Sequence, residues 1–320
     1  MPKMALHNDP KVRHEKYQRQ RTNFQARHHE GGMAPQRRAE SVSNSIAGGA
    51  AWQAMQLNPD GTTDRGQAEE CGTSIFDPVL CELTYRWFCP PKGIVLDPFA
   101  GGSVRGIVAS ALDRQYVGIE LREEQVHANR EQADRICKDP MPVWHCADSL
   151  TIPEICSDLN ADLVFTCPPY GDLEIYSDDP RDISTMPHEE CIATFKKIIC
   201  GAVARLKEDR FAVCVVGEFR DHSSSGFYRN FVSDTIAAFQ GAGAKLYNEA
   251  ILVTSLGSLP IRAARPFESG RKLGKTHQNV LVFCKGDPIK ATQAIGKVEV
   301  EWPIQDASDP ELQQINSSEI

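Results

Sequence analysis

Ile94-Val95-Leu96-Asp97-Pro98-Phe99-Ala100-Gly101-Gly102-Ser103 decides the fold class of this chain. A short apolar run ends in a carboxylate, a proline and small residues make a turn, and Val104 to Leu112 then carries a helical pattern. In doubly wound α/β sheets ligands bind at the carboxyl ends of the strands. Glycines there let a backbone come close, and a helix N-terminus presents unpaired N–H groups. The dinucleotide spacing G-x-G-x-x-G is missing, since Gly101 and Gly102 are adjacent and the next glycine is Gly106. The loop therefore favours a smaller zwitterionic group over a pyrophosphate.

Working outward, apolar runs alternate with helical stretches. Upstream, Phe76-Asp77-Pro78 opens a helix that runs to Phe88 and stops before Pro90-Pro91. Downstream, strands are predicted at Tyr116–Ile119, Val143–Cys146, Leu163–Phe165 and Phe211–Val216, with helices at Glu123–Cys137, 152–158 and 188–207. Strands separated by helices imply a mainly parallel sheet covered on both faces. Lys245–Val253 and Asn279–Phe283 have no helical pattern between them, which predicts an antiparallel pairing at the sheet edge. The fold class is thus α/β, doubly wound, with an antiparallel edge strand.

Two further acids fall where strands end. Glu120 closes the second strand, the place from which a carboxylate holds ribose hydroxyls in nucleotide-type folds. Asp148, followed by Ser149, comes after the third strand and can accept a hydrogen bond from an adenine amine. One such acid is explained by helix capping. Three at successive strand ends, counting Asp97, describe an adenosine site whose other end is amino-acid-like.

With 320 residues, the chain holds one sizeable domain plus irregular arms. Residues 1–73 are expected to form a flexible basic arm and linker, because residues 1–38 are rich in Lys and Arg and poor in aliphatic residues. The catalytic domain is expected over 74–286 and a polar tail over 287–320. No apolar run approaches the roughly 18 residues of a membrane span, and the polar start lacks a signal-peptide core. A cytoplasmic protein is expected. The formal charge of -8 argues against a chain coated in nucleic acid and confines any contact to local basic segments. The eleven cysteines form no C-x-x-C pairs, so neither a zinc ribbon nor a disulfide framework is indicated and no metal is expected.

Residues 75–120 resemble the cofactor-binding part of the amino-directed DNA methyltransferases, which modify cytosine N4 or adenine N6 and carry a D-P-F-x-G-S/G-G/S motif. The similarity extends over about 74–286. It implies a Rossmann-like methyltransferase fold, S-adenosylmethionine as cofactor and DNA as substrate. By the same resemblance, Phe76 and Asp77 close over the methionine end of the cofactor. Asp97, Phe99, Ala100, Gly101, Gly102 and Ser103 line its pocket, Glu120 takes the ribose, and Asp148 with Ser149 faces the adenine.

Thr166-Cys167-Pro168-Pro169-Tyr170 follows the fourth strand and resembles the family's D/N/S-P-P-Y/F/W motif. Two prolines fix the backbone and leave carbonyls that only accept hydrogen bonds. An exocyclic amine is a poor nucleophile because its lone pair is delocalised into the ring. Acceptors on its N–H bonds favour a pyramidal nitrogen able to attack a methyl group. Tyr170 would stack on a base flipped from the duplex. Cys167 departs from the family motif, and a thiol is a weak acceptor, so the carbonyls of Cys167 and Pro168 carry the load. Cysteine is close to serine in size, and the serine form goes with cytosine N4, which is slightly favoured over adenine N6. A nucleophilic Cys167 is disfavoured because the order is Cys-Pro rather than Pro-Cys.

Arg262, Arg265, Arg271, Lys272 and Lys275 make residues 255–278 a basic recognition loop in an acidic protein, with His277 and Gln278 at its border. Tyr176 is a candidate base contact, and His222 to Ser225 with Arg229 a candidate opposite wall. An RNA or protein-amide methyltransferase is the enzymatic alternative, since related Pro-Pro-Tyr loops serve those substrates. A degenerate methyltransferase fold acting as a DNA-binding module is the alternative of another class.

Overall fold

The computed structural model describes residues 76–171, 176–221, 226–254, 259 and 263–298. The expected arm at 1–73, the tail beyond 298 and Arg262 therefore lie outside the described residues. Helix α1 (Pro78–Phe88) precedes strand β1 (Ile94–Asp97), α2 (Val104–Ala111), β2 (Gln115–Glu120), α3 (Glu123–Ile136) and β3 (Val143–Cys146). The chain continues through α4 (Ile152–Ile155), β4 (Ala161–Thr166), α5 (His188–Arg205), β5 (Leu206–Val216) and α6 (Phe231–Gly241). The described residues end with β6 (Lys245–Val253), α7 (Ala264–Gly270), β7 (His277–Lys285) and α8 (Pro288–Ile295).

Among the described residues the strands form one sheet of order β3-β2-β1-β4-β5-β7-β6. β1 to β5 pair in parallel, and β7 runs antiparallel to both β5 and β6. This is the doubly wound sheet that the alternating pattern predicted, in the arrangement implied by the resemblance to Rossmann-like methyltransferases. The reversed strand is β7, which lies second from the edge. Helix α6 carries the chain from β5 to β6 and leaves one strand position between them, which β7 fills. The edge strand β6 therefore points the same way as β1.

Period-two alternation sorts the core into two layers. Leu96, Val164, Cys214 and Phe283 face a cluster with α5 and α6, where the Phe239 and Phe283 rings stack at 4.2 Å. Val95, Leu163, Phe165, Val213 and Val282 face the other cluster, with Cys81 and Tyr85 of α1, Val108 of α2 and Ala133 of α3. A Cβ on Gly106 would stand 2.5 Å from the Trp144 ring, so α2 lies against β3 only because that position is bare.

Two helices begin with the same device. The Asp77 carboxylate accepts the Val79 N–H at 2.8 Å, with Pro78 in the first turn of α1. Asp287 does the same for Ile289 ahead of Pro288 in α8. The segment after 286, expected as a polar tail, thus begins with a helix whose Ala291 and Ile295 are buried against the sheet. Helix α6 was not anticipated either. Its first turn is capped from a distance, the Glu218 carboxylate accepting from Phe231 and Val232 N–H at 3.2 and 2.8 Å.

Candidate active site

The strand order reverses between β1 and β4, and each of these strands runs into one of the two sequence motifs. Asp97 closes β1 and Thr166 closes β4. The Thr166 hydroxyl donates to Asp97 Oδ1 at 2.8 Å, joining the two loops at their roots. The Phe99 N–H donates to the same oxygen at 3.1 Å. Oδ2 accepts from the Tyr116 hydroxyl at 2.8 Å and from Arg105 Nε at 2.5 Å. Asp97 is fully buried. It was expected to line a ligand pocket; instead its carboxylate turns inward and is taken by four protein donors. Its role in the fold is to hold the loop.

Arg105 completes that node and was missed in the sequence. Its other fork nitrogen, Nη2, donates to the Phe99 and Ala100 carbonyls at 2.6 and 2.9 Å, and its guanidinium lies 4.6 Å from the centre of the Phe76 ring. A lone arginine inside the apolar run Val104–Ala111, eight residues from a strand-end aspartate, was the available signal. Burial opposes its charge, but Asp97 outweighs this and holds the guanidinium above its ordinary range. Phe76 packs edge-on against Phe165 of β4 at 5.7 Å. Asp77, expected at the cofactor, is occupied in capping α1.

The Gly-Gly loop faces open space. Gly101 has φ +51°, and a Cβ on Gly101 or Gly102 meets no atom within 4 Å. The Gly101 N–H donates to Glu120 Oε2 at 2.9 Å, and Asn129 Nδ2 donates to the Gly101 carbonyl at 2.7 Å. Glu120 Oε1 accepts the Arg122 N–H at 3.0 Å, and burial pushes the carboxyl above its ordinary range. No side chain caps α2, because the Ser103 hydroxyl is bonded to Gln132. Phe99 stacks on Phe195 at 6.0 Å. The Ser149 hydroxyl donates to the Pro98 carbonyl, tying the β3 loop to the β1 loop. Asp148 caps a 3-10 turn through Leu150 N–H at 2.8 Å, so its capping role is realised. An uncapped helix start, a bare glycine surface and a carboxylate with acceptor capacity left fit an adenosine that carries an amino-acid end.

In the second loop Pro168 is buried, while Cys167, Pro169 and Tyr170 are half-buried. The Tyr170 ring lies 6.4 Å from Phe219 and edge-on to Phe231 at 6.1 Å, so part of it is committed to the core. Its hydroxyl accepts from Gln278 Nε2 at 2.6 Å. Burial, then the neighbouring Cys167, push the phenol well above its ordinary range, so it stays protonated. Phe219, Phe231 and Gln278 come to this place from the end of β5, from α6 and from β7, separated too widely in sequence to be read as a group.

The basic segment is divided by the structure. Arg265 and Arg271 are exposed at α7, where the Arg271 guanidinium lies 5.1 Å from the Phe267 ring centre. Lys272 reaches the loop after β5: a Cβ on Gly226 would stand 2.0 Å from its Nζ. Lys275 turns inward toward Tyr170 instead. Tyr176 is 39% exposed and anchored by its N–H to Ser184. Residues 222–225 of the expected opposite wall lie outside the described residues, while Arg229 pairs with Asp221 at 3.2 Å. Among the described residues no helix is long and apolar enough to cross a membrane, and no cluster of His, Cys, Asp or Glu is arranged to hold a metal.

Residues 10–131 match the family model described as DNA methylase, of the N6/N4 type. That match contains the Gly-Gly loop and Glu120 and ends within α3, before Thr166. The Type II methyltransferase M.SmaI from Serratia marcescens is 39% identical over 59 residues, which cover 18% of this chain and 20% of that protein. TrmN from Thermus thermophilus superposes on 68% of this chain and 51% of its own, at 17% identity and a TM-score of 0.43. Magnesium protoporphyrin IX methyltransferase from Synechocystis PCC 6803, solved with bound SAM, superposes on 80% of this chain and 99% of its own. Its identity is 12% and its TM-score 0.40. The resemblance to the amino-directed DNA methyltransferases, expected over about 74–286, is matched by this family model over the part of that range up to residue 131.

Proposed function

We propose that this chain is a DNA methyltransferase that transfers a methyl group to the exocyclic amine of a base flipped from the duplex, cytosine N4 ahead of adenine N6. The observation that carries this reading is the Thr166–Asp97 bond, which roots an acceptor-rich Pro-Pro loop beside a nucleotide-type loop at one switch point. The cofactor is S-adenosylmethionine, which when bound supplies an electrophilic methyl group on a sulfonium. The first turn of α2 offers N–H groups to its carboxylate, Glu120 offers lone pairs to its ribose, and Asp148 stands at its adenine end.

The remaining work belongs to the second loop. The carbonyls of Cys167 and Pro168 accept the two N–H bonds of the amine and localise its lone pair. Pro168 and Pro169 hold those carbonyls still, so little reorganisation accompanies the reaction. Tyr170 is the aromatic wall for the flipped base. Arg265, Arg271 and Lys272 hold phosphates beside the pocket.

Labelled methyl transfer to duplex DNA and to RNA, with nucleoside mass analysis of the products, tests the reading. DNA carrying a methylated exocyclic amine is the expected product. Label found only in RNA, or only as 5-methylcytosine, would overturn it.

A further inference from the structure

Lys275 belongs to the basic segment expected to meet phosphate, yet its ammonium is not on the surface. Its Nζ is buried and has no hydrogen-bond partner among the described residues. The register explains the placement. β7 sets Asn279 opposite Val216, so the residues preceding it run alongside Gly217 and Glu218, just past the end of β5. A Cβ built on Gly217 would stand 3.8 Å from Lys275 Nζ, 3.9 Å from Gln278 Cγ and 3.9 Å from Tyr170 Cζ. Ammonium, amide side chain and phenol end thus surround one point beside the Pro-Pro loop.

The nearest acid does not answer the charge. Glu218 spends its carboxylate on the first turn of α6. Burial pulls the Lys275 ammonium below the ordinary lysine range, and Glu218 only opposes this. A buried ammonium with no acceptor is costly, and a phosphate in solvent would not require it to be buried. The cost is recovered when a bound group brings acceptors to it.

We infer that Lys275 is a specificity-determining residue that donates hydrogen bonds to the acceptor edge of the target base, beside Tyr170 and Gln278. This rests on the reading of the chain as a DNA amino-methyltransferase and narrows it to cytosine. Beside its amine cytosine presents two successive acceptors, N3 and O2, which suit an ammonium with several donors. Adenine presents N1 and then a C–H. The Gln278 amide, held by the Tyr170 hydroxyl, fixes the wall next to the ammonium.

Lys275→Met and Lys275→Gln keep an unbranched stem, one atom shorter than lysine, and remove the buried charge, so thermal stability should hold or rise. The test measures kcat/KM for methyl transfer to unmethylated random-sequence duplex DNA, the salt slope of DNA binding and the methylated nucleoside formed. Wild-type protein should yield N4-methylcytosine. Both variants should lose roughly 100-fold or more in kcat/KM, as sites built around a hydrogen-bonded group do when one partner is missing. Their salt slope should match wild type, whereas a phosphate contact would lower it by about 0.9. Full activity in both variants, a lowered slope, or N6-methyladenine as the wild-type product each overturns the inference and leaves the amine-methylation reading standing. Absence of any transfer to DNA by wild type overturns that reading and the inference with it.

Discussion

Thr166 Oγ1 donates a 2.8 Å hydrogen bond to Asp97 Oδ1, so the residue opening the Pro-Pro loop is fastened to the residue opening the Gly-Gly loop. The two are 69 positions apart and meet because β1 and β4 are neighbours, with Leu96 paired to Val164. A buried hydroxyl bonded to a carboxylate contributes about 1.5–3 kcal/mol. Thr166→Val, which keeps the shape and removes the donor, should cost that much in urea denaturation. It should also slow methyl transfer more than it weakens cofactor binding. Equal stability and turnover would show that the bond does not hold the loops.

Arg105 is the cation of the same node. Arg105→Met would leave the Asp97 carboxylate buried without its ion pair, and breaking such a pair costs about 3–5 kcal/mol. Arg105→Lys should rescue little, because one ammonium cannot replace a fork that reaches Asp97 and two carbonyls. Thermal melts of the two variants separate charge from geometry: recovery to the wild-type melting temperature in the lysine variant would refute the geometric role.

The Pro-Pro loop makes distinct demands on its residues. Pro168→Ala and Tyr170→Ala should abolish transfer while S-adenosylmethionine binding, measured by calorimetry, stays within a few-fold of wild type. Cys167→Ala should lose no more than about tenfold in rate, or 1.4 kcal/mol, if the carbonyls rather than the thiol accept from the amine. A loss of a thousandfold in the alanine variant would assign the work to the thiol.

On the exposed rim, Arg265→Ala and Arg271→Ala should each reduce the log–log salt slope of DNA binding by about 0.9, one phosphate apiece. Filter binding between about 50 and 200 mM salt would show it. Unchanged slopes would remove α7 from the interface.

Acid sensitivity should originate partly at Asp162. Burial raises this carboxyl, but Lys207, the Ile94 N–H and Arg210 outweigh burial and hold it below its ordinary range. A carboxyl depressed in the folded state contributes stability that is present above its unfolded pKa and lost as pH falls through the folded value. Asp162→Asn should therefore lower stability at neutral pH and flatten its decline below about pH 4. Parallel stability curves for variant and wild type would contradict this.

Much of the fold was legible because strand–helix alternation and period-two burial are local. Ile94–Asp97, Val143–Cys146 and Lys245–Val253 need only their own residues to be found. Asp287-Pro288 carried the same capping signal as Asp77-Pro78, but the polar residues of the C-terminal segment obscured it. Helix α6 was hidden for a different reason: its cap, Glu218, lies outside the helix and across a loop.

By itself the sequence determined the fold class, the two loops and the chemistry their residue types permit, because each is a contiguous motif whose backbone preferences are its own. Only the tertiary structure decided what each charged group faces. Asp97 turned out to be the inward anchor of both loops, Arg105 its counter-ion, and Lys275 a buried ammonium beside Tyr170 rather than a surface cation. The physical reason is that desolvation and pairing depend on neighbours brought from β1, β4, β5 and β7, and strand register, not spacing along the chain, sets those neighbours.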